Sequence, residues 1–251
     1  MIKIGIIGGS GLENLEFANN VKNLNIKTPY GDVSLKVAEL PNYELVILSR
    51  HGREHTIPPS QVNFRANIWA LKDFGCKYIL ATTAVGSLQQ EIKRGDLVIL
   101  DQFIDFTKRR ISTYYEEFQP HQPVHTAMAD PFNSFLRKKL IDSCEKLKLS
   151  HHKTGTVVTI EGPRFSTRAE SKMFRLWGAD VINMTTAPEA ILANEAGVPY
   201  VAVAMSTDYD CWKEDEEPVA WEQITKIFEQ NSQKVTNLLL DVVDNIKDCQ
   251  I

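Results

Sequence analysis

Three apolar runs of the sequence end in residues that could bind an oxyanion. These are Gly8-Gly9-Ser10-Gly11, Arg50-His51 and Thr82-Thr83-Ala84. A glycine turn offers backbone N–H groups, a guanidinium grips an oxyanion with two parallel hydrogen bonds, and a neighbouring imidazole or hydroxyl adds a donor. We therefore expect an anion site that includes Ser10, Arg50, His51 and Thr83. A structural salt bridge of Arg50 and a plain strand-to-helix turn at the glycines are the alternatives.

Two carboxylates, Asp208 and Asp210, follow a later apolar run and could do acid–base chemistry. Burial can keep a carboxyl group protonated, and in that form it acts as a general acid. A helix cap or a solvated acidic loop would explain the same residues, because Glu214-Asp215-Glu216-Glu217 follows. Paired carboxylates also occur in glycosidases, but beside an anion site the bound anion can itself be the nucleophile.

The sequence predicts neither a metal site nor an organic cofactor. His51-Gly52-Arg53-Glu54-His55 matches a zinc-peptidase pattern. However, two histidines at positions i and i+4 need a helix, and Gly52 and Pro58-Pro59 oppose one here. The stretch from His121 to His125 contains Pro123 and fails the same test. Residues 8–14 fit neither the dinucleotide fingerprint nor the P-loop.

Apolar, β-branched runs predict the strands that would position these side chains. Several runs are apolar at nearly every position, as in strands buried on both faces. We predict an α/β fold with a central mixed, largely parallel β-sheet flanked by helices. In such sheets ligands bind at the carboxyl ends of the strands, where the polar motifs stand. The predicted strands are residues 3–7, 43–48, 78–84, 97–103, 156–160, 181–184 and 200–205.

Helix signals lie between and after the predicted strands. Ser60 precedes a helix that should end before Gly75. Thr167-Arg168-Ala169-Glu170 and Thr186-Ala187-Pro188-Glu189 are capping-box patterns for helices that should end before Gly178 and Gly197. Apolar residues at helical spacing predict a long amphipathic helix over 221–246. The irregular stretch 107–131 is rich in aromatics, Pro and His, and we expect it to be a functional loop.

The composition is that of an ordinary globular protein and limits the partners. Of the residues, 43% are hydrophobic and 24% charged, as in soluble globular proteins. The length of 251 residues suffices for one large core, which predicts a single domain over 1–251. A net charge of −4 without a basic run argues against nucleic acid. Isolated cysteines, the lack of an 18-residue apolar run and the lack of a signal-peptide pattern predict a cytoplasmic protein that does not bind membranes.

The motifs, taken in order, resemble those of the trimeric purine nucleoside phosphorylase superfamily. Within it they are most similar to the members that act on 5'-methylthioadenosine. The resemblance covers nearly the whole chain. The blocks that carry it are residues 4–12, 50–55, 67–72, 82–84, 101–105, 159–166, 177–185 and 207–213.

The resemblance implies a role for each candidate residue. Phosphate would be bound by Ser10, Arg50, His51, Thr83 and Ala84. Phe165 would stack on the purine, with Met184 against the ribose and Asn183 and Thr185 nearby. The N7 and 6-amino edge of adenine would face Asp208 and Asp210 as the catalytic pair. The pocket for the 5'-methylthio group would be lined by His55, Trp221 and Ile224, with His125 reaching in from a neighbouring subunit of a homotrimer.

The activity that the resemblance implies is phosphorolysis of the N-glycosidic bond of 5'-methylthioadenosine or a close 5'-deoxyadenosine. The products would be adenine and 5-methylthioribose 1-phosphate, as in methionine and purine salvage. Protonated Asp208 would donate to N7, and phosphate would be a co-substrate, so no cofactor is needed. Ser166 and Asp208 stand where enzymes for 6-oxopurines have Glu and Asn, which favours adenine. The alternatives are a purine nucleoside phosphorylase with broader 5' or 6-oxopurine specificity (methylthioinosine), a nucleoside hydrolase, and a nucleoside- or phosphate-binding protein.

Overall fold

The structure is a computed structural model that describes residues 1–8, 21–215 and 220–246. The strands form one mixed sheet. They are β1 Ile2–Gly8, β2 Val21–Thr28, β3 Gly31–Glu39, β4 Tyr43–Ser49, β5 Cys76–Ser87, β6 Leu97–Ile99, β7 Gln102–Phe106, β8 His151–His152, β9 Thr156–Ile160, β10 Val181–Asn183 and β11 Tyr200–Asp208. The α-helices are α1 Phe64–Asp73, α2 Ser134–Lys146, α3 Arg168–Leu176, α4 Thr186–Glu195 and α5 Trp221–Ile246.

Strand β5 organises the sheet because different parts of its length pair with different strands. Its first half pairs in parallel with β1, and residues from Ile79 onward pair in parallel with β11. At its end, Gly86 and Ser87 pair antiparallel with β10. The segment that carries Thr83 and Gly86 therefore lies between the carboxyl ends of β10 and β11.

Helices cover both faces of the sheet and bury its apolar side chains. On one face, Phe64, Ile68 and Leu71 of α1 pack with Leu192 of α4. On the other face, α2 and α5 bury an apolar stripe each, including Leu238 of α5. Burial of large aliphatic side chains contributes roughly 1.5–3 kcal/mol each. The two cores therefore hold the strand ends in fixed positions. The prediction of an α/β fold with a mixed sheet flanked by helices is confirmed.

Six of the seven predicted strands are present, and the prediction of one strand over 97–103 is wrong. The stretch forms β6 and β7 instead. Leu100 still donates its N–H to the carbonyl oxygen of Ala202 in β11, whereas Asp101 donates to that of Gly155, just before β9. The chain thus changes its pairing partner between these two residues, which apolar character alone does not reveal. The hairpin of β2 and β3 and the helix α2 were not predicted.

Most of the predicted helix ends agree with the structure. α3 has the predicted capping box at Thr167 and Glu170, and α5 has the predicted bounds. The first predicted helix ends before Gly75, but α1 begins only at Phe64, where Asn63 rather than Ser60 caps it. Thr185 precedes α4 without a side-chain cap, so the second capping-box prediction is wrong.

The stretch 107–131 contains no helix or strand, as predicted for a loop. Two carboxylates anchor its beginning. Glu161 accepts hydrogen bonds from the N–H groups of residues 108 and 109, and Glu195 accepts from Thr113 and from the N–H of Tyr114. Within the stretch, the side chains of Ile111, Phe118 and Val124 are more than 40% exposed. Among the described helices, none is long and apolar enough to cross a membrane.

Candidate active site

One cavity at the carboxyl ends of β4, β5, β10 and β11 brings together most of the predicted site residues. Those that line it are Arg50, His51, His55, Thr83, Ala84, Phe165, Asn183, Met184, Thr185, Asp208, Asp210, Trp221 and Ile224. Ser10 lies outside the described residues. His125 does not line the cavity; it is exposed, and its ring contacts that of Phe118 at a centroid distance of 5.7 Å.

Arg50 forms a buried ion pair and also lines the cavity. Its side chain is 2% exposed, and its Nε and Nη2 donate to the two carboxylate oxygens of Glu189. Its Nη1 donates to the carbonyl oxygen of Thr82 at 3.0 Å. These bonds use three of the five guanidinium N–H groups. Among the described residues no other group takes the remaining two, which can therefore donate to a ligand. Arg50 therefore has the salt bridge of the alternative interpretation and can still bind an anion.

His51 is held as a neutral imidazole whose second ring nitrogen, Nε2, makes no hydrogen bond to any described residue. Its Nδ1 lies 2.8 Å from the carbonyl oxygen of Ile57, and a carbonyl can only accept, so Nδ1 carries the proton. Burial, together with the charge of Arg50, lowers the pKa of His51 to about 4. At neutral pH Nε2 therefore presents a lone pair. This corrects the expectation of an imidazole donor: the ring can accept from an O–H of a ligand, such as a protonated phosphate oxygen.

Asn183 fixes the hydroxyl of Thr83. The amide Nδ2 of Asn183 donates to Thr83 Oγ1 at 3.0 Å and to Thr186 Oγ1 at 2.5 Å. Its Oδ1 accepts from the hydroxyl of Thr159 at 2.9 Å. Both N–H groups of the amide are thus used inside the protein, which leaves Asn183 no donor for an anion and makes it a support for Thr83.

Asp208 has the properties of a general acid. Its side chain is buried, and burial raises its pKa to about 6. The hydroxyl of Thr207 and the backbone N–H of Asp210, each 2.8 Å from one carboxylate oxygen, oppose that rise by stabilising the ionised form. Thr207 Oγ1 also lies 3.2 Å from the carbonyl oxygen of Val85, so its single proton can turn there when Asp208 is protonated. The site therefore accommodates both states of the carboxyl group.

Asp210 is oriented by Ser166. The hydroxyl of Ser166 lies 2.7 and 2.8 Å from the two carboxylate oxygens of Asp210, and its single proton is shared between them. Both residues line the cavity beside Phe165. The carboxylate of Asp210 thus remains an acceptor that faces the same space as Asp208.

Gly86 allows Asp208 to approach β5 closely. A Cβ at position 86 would lie 2.9 Å from Oδ1 of Asp208 and 3.0 Å from Cγ2 of Ile182, both closer than ordinary contacts. We predict that Gly86→Ala displaces Asp208 and lowers kcat/KM by about tenfold to a hundredfold, since small misplacements of catalytic groups have effects of that order.

A matched control separates this effect from general overpacking. Gly5→Ala also adds a methyl inside a buried strand, but against flexible side chains of Leu71 and Ile79 at 3.4 Å, and should leave kcat/KM unchanged. If both variants lose activity equally, the close approach of Gly86 to Asp208 has no particular importance. Melting temperatures of the two variants check that each folds.

An aromatic wall closes the other side of the cavity. The ring of His55 lies against that of His51 at 4.4 Å and against that of Trp221 at 5.0 Å between centroids. Ile224, Thr225 and Phe228 of α5 continue this wall. The side next to α5 is therefore mainly apolar and aromatic, which suits an uncharged substituent.

His51 and His55 lie ring against ring at one side of the cavity. The angle between the planes of the two rings is 31°. Across the described residues, no group of three or more His, Cys, Asp or Glu side chains could hold an ion.

Glu189 supports the site from outside the cavity, and its predicted role in a capping box is wrong. Its local pattern resembles a capping box, but its side chain is 1% exposed and pairs with Arg50. A carboxylate in a helix whose neighbours are otherwise apolar was the signal, because such a charge needs a buried partner. Gly86, Thr207 and Thr225 were also absent from the predicted site.

Known proteins with similar sequences and structures give this geometry a context. A family model described as the phosphorylase superfamily matches residues 3–244. S-methyl-5'-thioadenosine phosphorylase of Danio rerio is 50% identical over 100% of this chain and 90% of its own length. The structure of methylthioadenosine phosphorylase from Schistosoma mansoni in complex with adenine has a TM-score of 0.94, with 39% identity over 100% of this chain and 93% of that one.

A second structure of the Schistosoma mansoni protein extends the comparison to a nucleoside ligand. This structure is of a mutant, described as an adenosine/methylthioadenosine phosphorylase, in complex with methylthioadenosine. Its TM-score is 0.91, with 39% identity over 100% of this chain and 93% of that one. A family match over nearly the whole chain, joined to a shared fold and a cavity with a buried acid and a buried arginine, places this chain in the phosphorylase superfamily.

Proposed function

We propose that this chain catalyses the phosphorolysis of 5'-methylthioadenosine to adenine and 5-methylthioribose 1-phosphate. The observation that carries the proposal is the cavity in which Asp208, with its raised pKa, faces the same space as Arg50 and Thr83. The relatives named S-methyl-5'-thioadenosine phosphorylase support the choice of substrate. The reaction belongs to methionine and purine salvage.

The mechanism follows from where charge develops. Cleavage of the N-glycosidic bond leaves positive charge on the ribose and negative charge on the purine, so groups that stabilise both bind the transition state better than the substrate. Asp208 donates its proton to N7. Phosphate, bound by Arg50 with Thr83 and the residues around them, supplies the counter-charge and then the nucleophile at C1'. Inorganic phosphate is therefore a co-substrate, and the proposal requires no metal and no organic cofactor.

Selectivity for adenine rests on the carboxylate pair. Asp210 is held by Ser166 as an acceptor and can receive a hydrogen bond from the 6-amino group. A 6-oxopurine would place its own acceptor against this carboxylate. Phe165, 40% exposed in the cavity wall, offers a ring face to the purine, and Met184 borders the ribose.

One observation favours adenosine as a second substrate. Thr225 lines the cavity next to Trp221, and its hydroxyl lies 3.1 Å from two carbonyl oxygens of its own helix. The single proton can serve one carbonyl at a time, and the lone pairs of Oγ1 can accept from a 5'-hydroxyl. Comparing kcat/KM for 5'-methylthioadenosine, adenosine and their inosine analogues tests 5'-methylthioadenosine as the main substrate and adenosine as a second one. A preference for inosine analogues would contradict the adenine assignment.

We propose further that the chain works as a homotrimer in the cytoplasm, with His125 completing the cavity of a neighbouring subunit. The exposed apolar side chains of the stretch 107–131 support an interface there, since His125 lies within this stretch and away from its own cavity. Such a shared site needs two subunits for activity.

Complementation between two inactive variants tests the shared site. We expect that His125→Ala and Asp208→Ala, each nearly inactive alone, regain activity when mixed and allowed to exchange subunits. Random exchange in a trimer leaves about a quarter of the sites with both residues intact. Subunit exchange is verified by mass spectrometry of the mixed trimers. If exchange occurs without any recovery, the sites are not shared.

A further inference from the structure

The buried surroundings of Arg50 contain a chain of hydrogen bonds that has no direct part in the proposed reaction. Tyr200 donates its hydroxyl to Oε2 of Glu189 at 2.9 Å, and Glu189 in turn accepts from Nε and Nη2 of Arg50. Tyr200 is 2% exposed and Glu189 1%. Three polar side chains from β11, α4 and the end of β4 therefore form one connected network beneath the cavity.

This network fixes the guanidinium of Arg50 in one plane. A bidentate pair defines both the position and the rotation of the guanidinium. The bond from Nη1 to the carbonyl oxygen of Thr82 removes the remaining freedom to tilt. Because the edge with Nε and Nη2 is turned toward Glu189, the remaining donors on Nη1 and Nη2 are the ones available to the cavity that Arg50 lines.

We propose that Glu189 is a positioning residue for phosphate that acts through Arg50, and that Tyr200 acts through Glu189. The inference rests on the proposed function and adds two residues that touch neither substrate. Glu189 does not line the described cavity, and neither does Tyr200.

A competing effect makes the direction of the result informative. The negative charge of Glu189 neutralises Arg50 and, as a charge, disfavours an anion nearby. If Glu189 acted only as a counter-charge, its removal would strengthen phosphate binding. If it positions Arg50, its removal weakens phosphate binding, because the rigid orientation of the donors is lost.

The experiment measures the KM values for phosphate and for 5'-methylthioadenosine in five proteins. These are the wild type, Glu189→Gln, Tyr200→Phe, the double variant and Tyr43→Phe. Tyr43→Phe is the control, since it also removes the hydroxyl of a buried tyrosine. This hydroxyl makes a partly buried contact with a carboxylate outside the cavity, that of Asp244 at 3.4 Å. Circular dichroism and melting temperatures follow the folding of each variant.

We expect Glu189→Gln to raise the KM for phosphate about tenfold or more, as the loss of one charge-assisted hydrogen bond does. The KM for the nucleoside should change by less than about twofold. Tyr200→Phe should raise the phosphate KM about threefold to tenfold, and the double variant should not exceed Glu189→Gln, because both changes act on one chain of contacts. Tyr43→Phe should behave as the wild type.

A phosphate KM that falls or stays unchanged in Glu189→Gln overturns the inference, and so does an equal rise in both KM values. If Glu189→Gln does not fold, Tyr200→Phe decides alone: an unchanged phosphate KM overturns the inference. Wild-type turnover that does not depend on phosphate contradicts the proposed function, and the inference with it. If wild-type turnover saturates with phosphate but the KM for phosphate is unchanged in the variants, the result contradicts only the positioning role.

Discussion

Replacing Asp208 with Asn should lower kcat/KM for 5'-methylthioadenosine by about two to four orders of magnitude, the usual contribution of a general acid. An amide can donate a hydrogen bond to N7 but cannot give up a proton as the glycosidic bond breaks. The value for 5'-methylthioinosine should fall much less, so the preference between the bases narrows or inverts. Asn has nearly the same shape: its Oδ1 can still accept from the N–H of Asp210, and the hydroxyl of Thr207 can turn its proton to the carbonyl oxygen of Val85 and accept from the new amide.

The pH dependence provides a second signature of the same proton. The raised pKa of about 6 means that Asp208 is protonated below pH 6 and loses its proton as the pH rises through that value. We therefore expect kcat/KM of the wild type to fall on the alkaline side of about pH 6, and this limb should be missing in Asp208→Asn. Ionisation of phosphate affects both proteins alike, so the difference between their profiles isolates Asp208. An equal loss for both substrates together with an unchanged profile would mean that Asp208 is not the acid.

Loss of Arg50 should have the second large effect, on the use of phosphate. Removing a buried charge-assisted contact costs about 2–5 kcal/mol, so Arg50→Ala should raise the KM for phosphate by more than about an order of magnitude. The single change also leaves the carboxylate of Glu189 buried without its partner, which is strongly destabilising.

A double change separates the loss of phosphate binding from this loss of stability. Arg50→Met with Glu189→Gln removes both charges and keeps apolar volume. We expect it to recover the melting temperature of the wild type in large part while the weak use of phosphate persists. If the double variant binds phosphate as tightly as the wild type in calorimetry, Arg50 is a structural residue only.

Residues that follow apolar strands could be predicted because strand and motif are local features of the sequence. Asp208 ends β11, and Arg50 follows β4. The partner of Arg50 could not be read in the same way, because Glu189 lies 139 positions away and also fits a local capping pattern. Only the packing of α4 under the sheet decides between the two interpretations.

The protonation of His51 and the extent of the sheet depend on tertiary contacts as well. The tautomer of His51 is fixed by the carbonyl of Ile57, which reaches it through the turn of the intervening loop. The residues of β2 alternate between exposed and half-buried positions and lack the apolar runs by which the other strands were recognised. Helix α2 carries readable signals, an Asn133 cap followed by Leu136 and Leu140 at helical spacing.

The fate of phosphate during turnover tests the central claim most directly. The reaction is run with 5'-methylthioadenosine and phosphate labelled with ¹⁸O at every oxygen, in buffer containing a chelator, and the sugar product is analysed by mass spectrometry. If phosphate held by Arg50 attacks C1', adenine is released together with 5-methylthioribose 1-phosphate that retains all of the label, and omitting phosphate abolishes adenine release. Adenine release at an undiminished rate without phosphate, with free methylthioribose as the sugar product, would contradict the account.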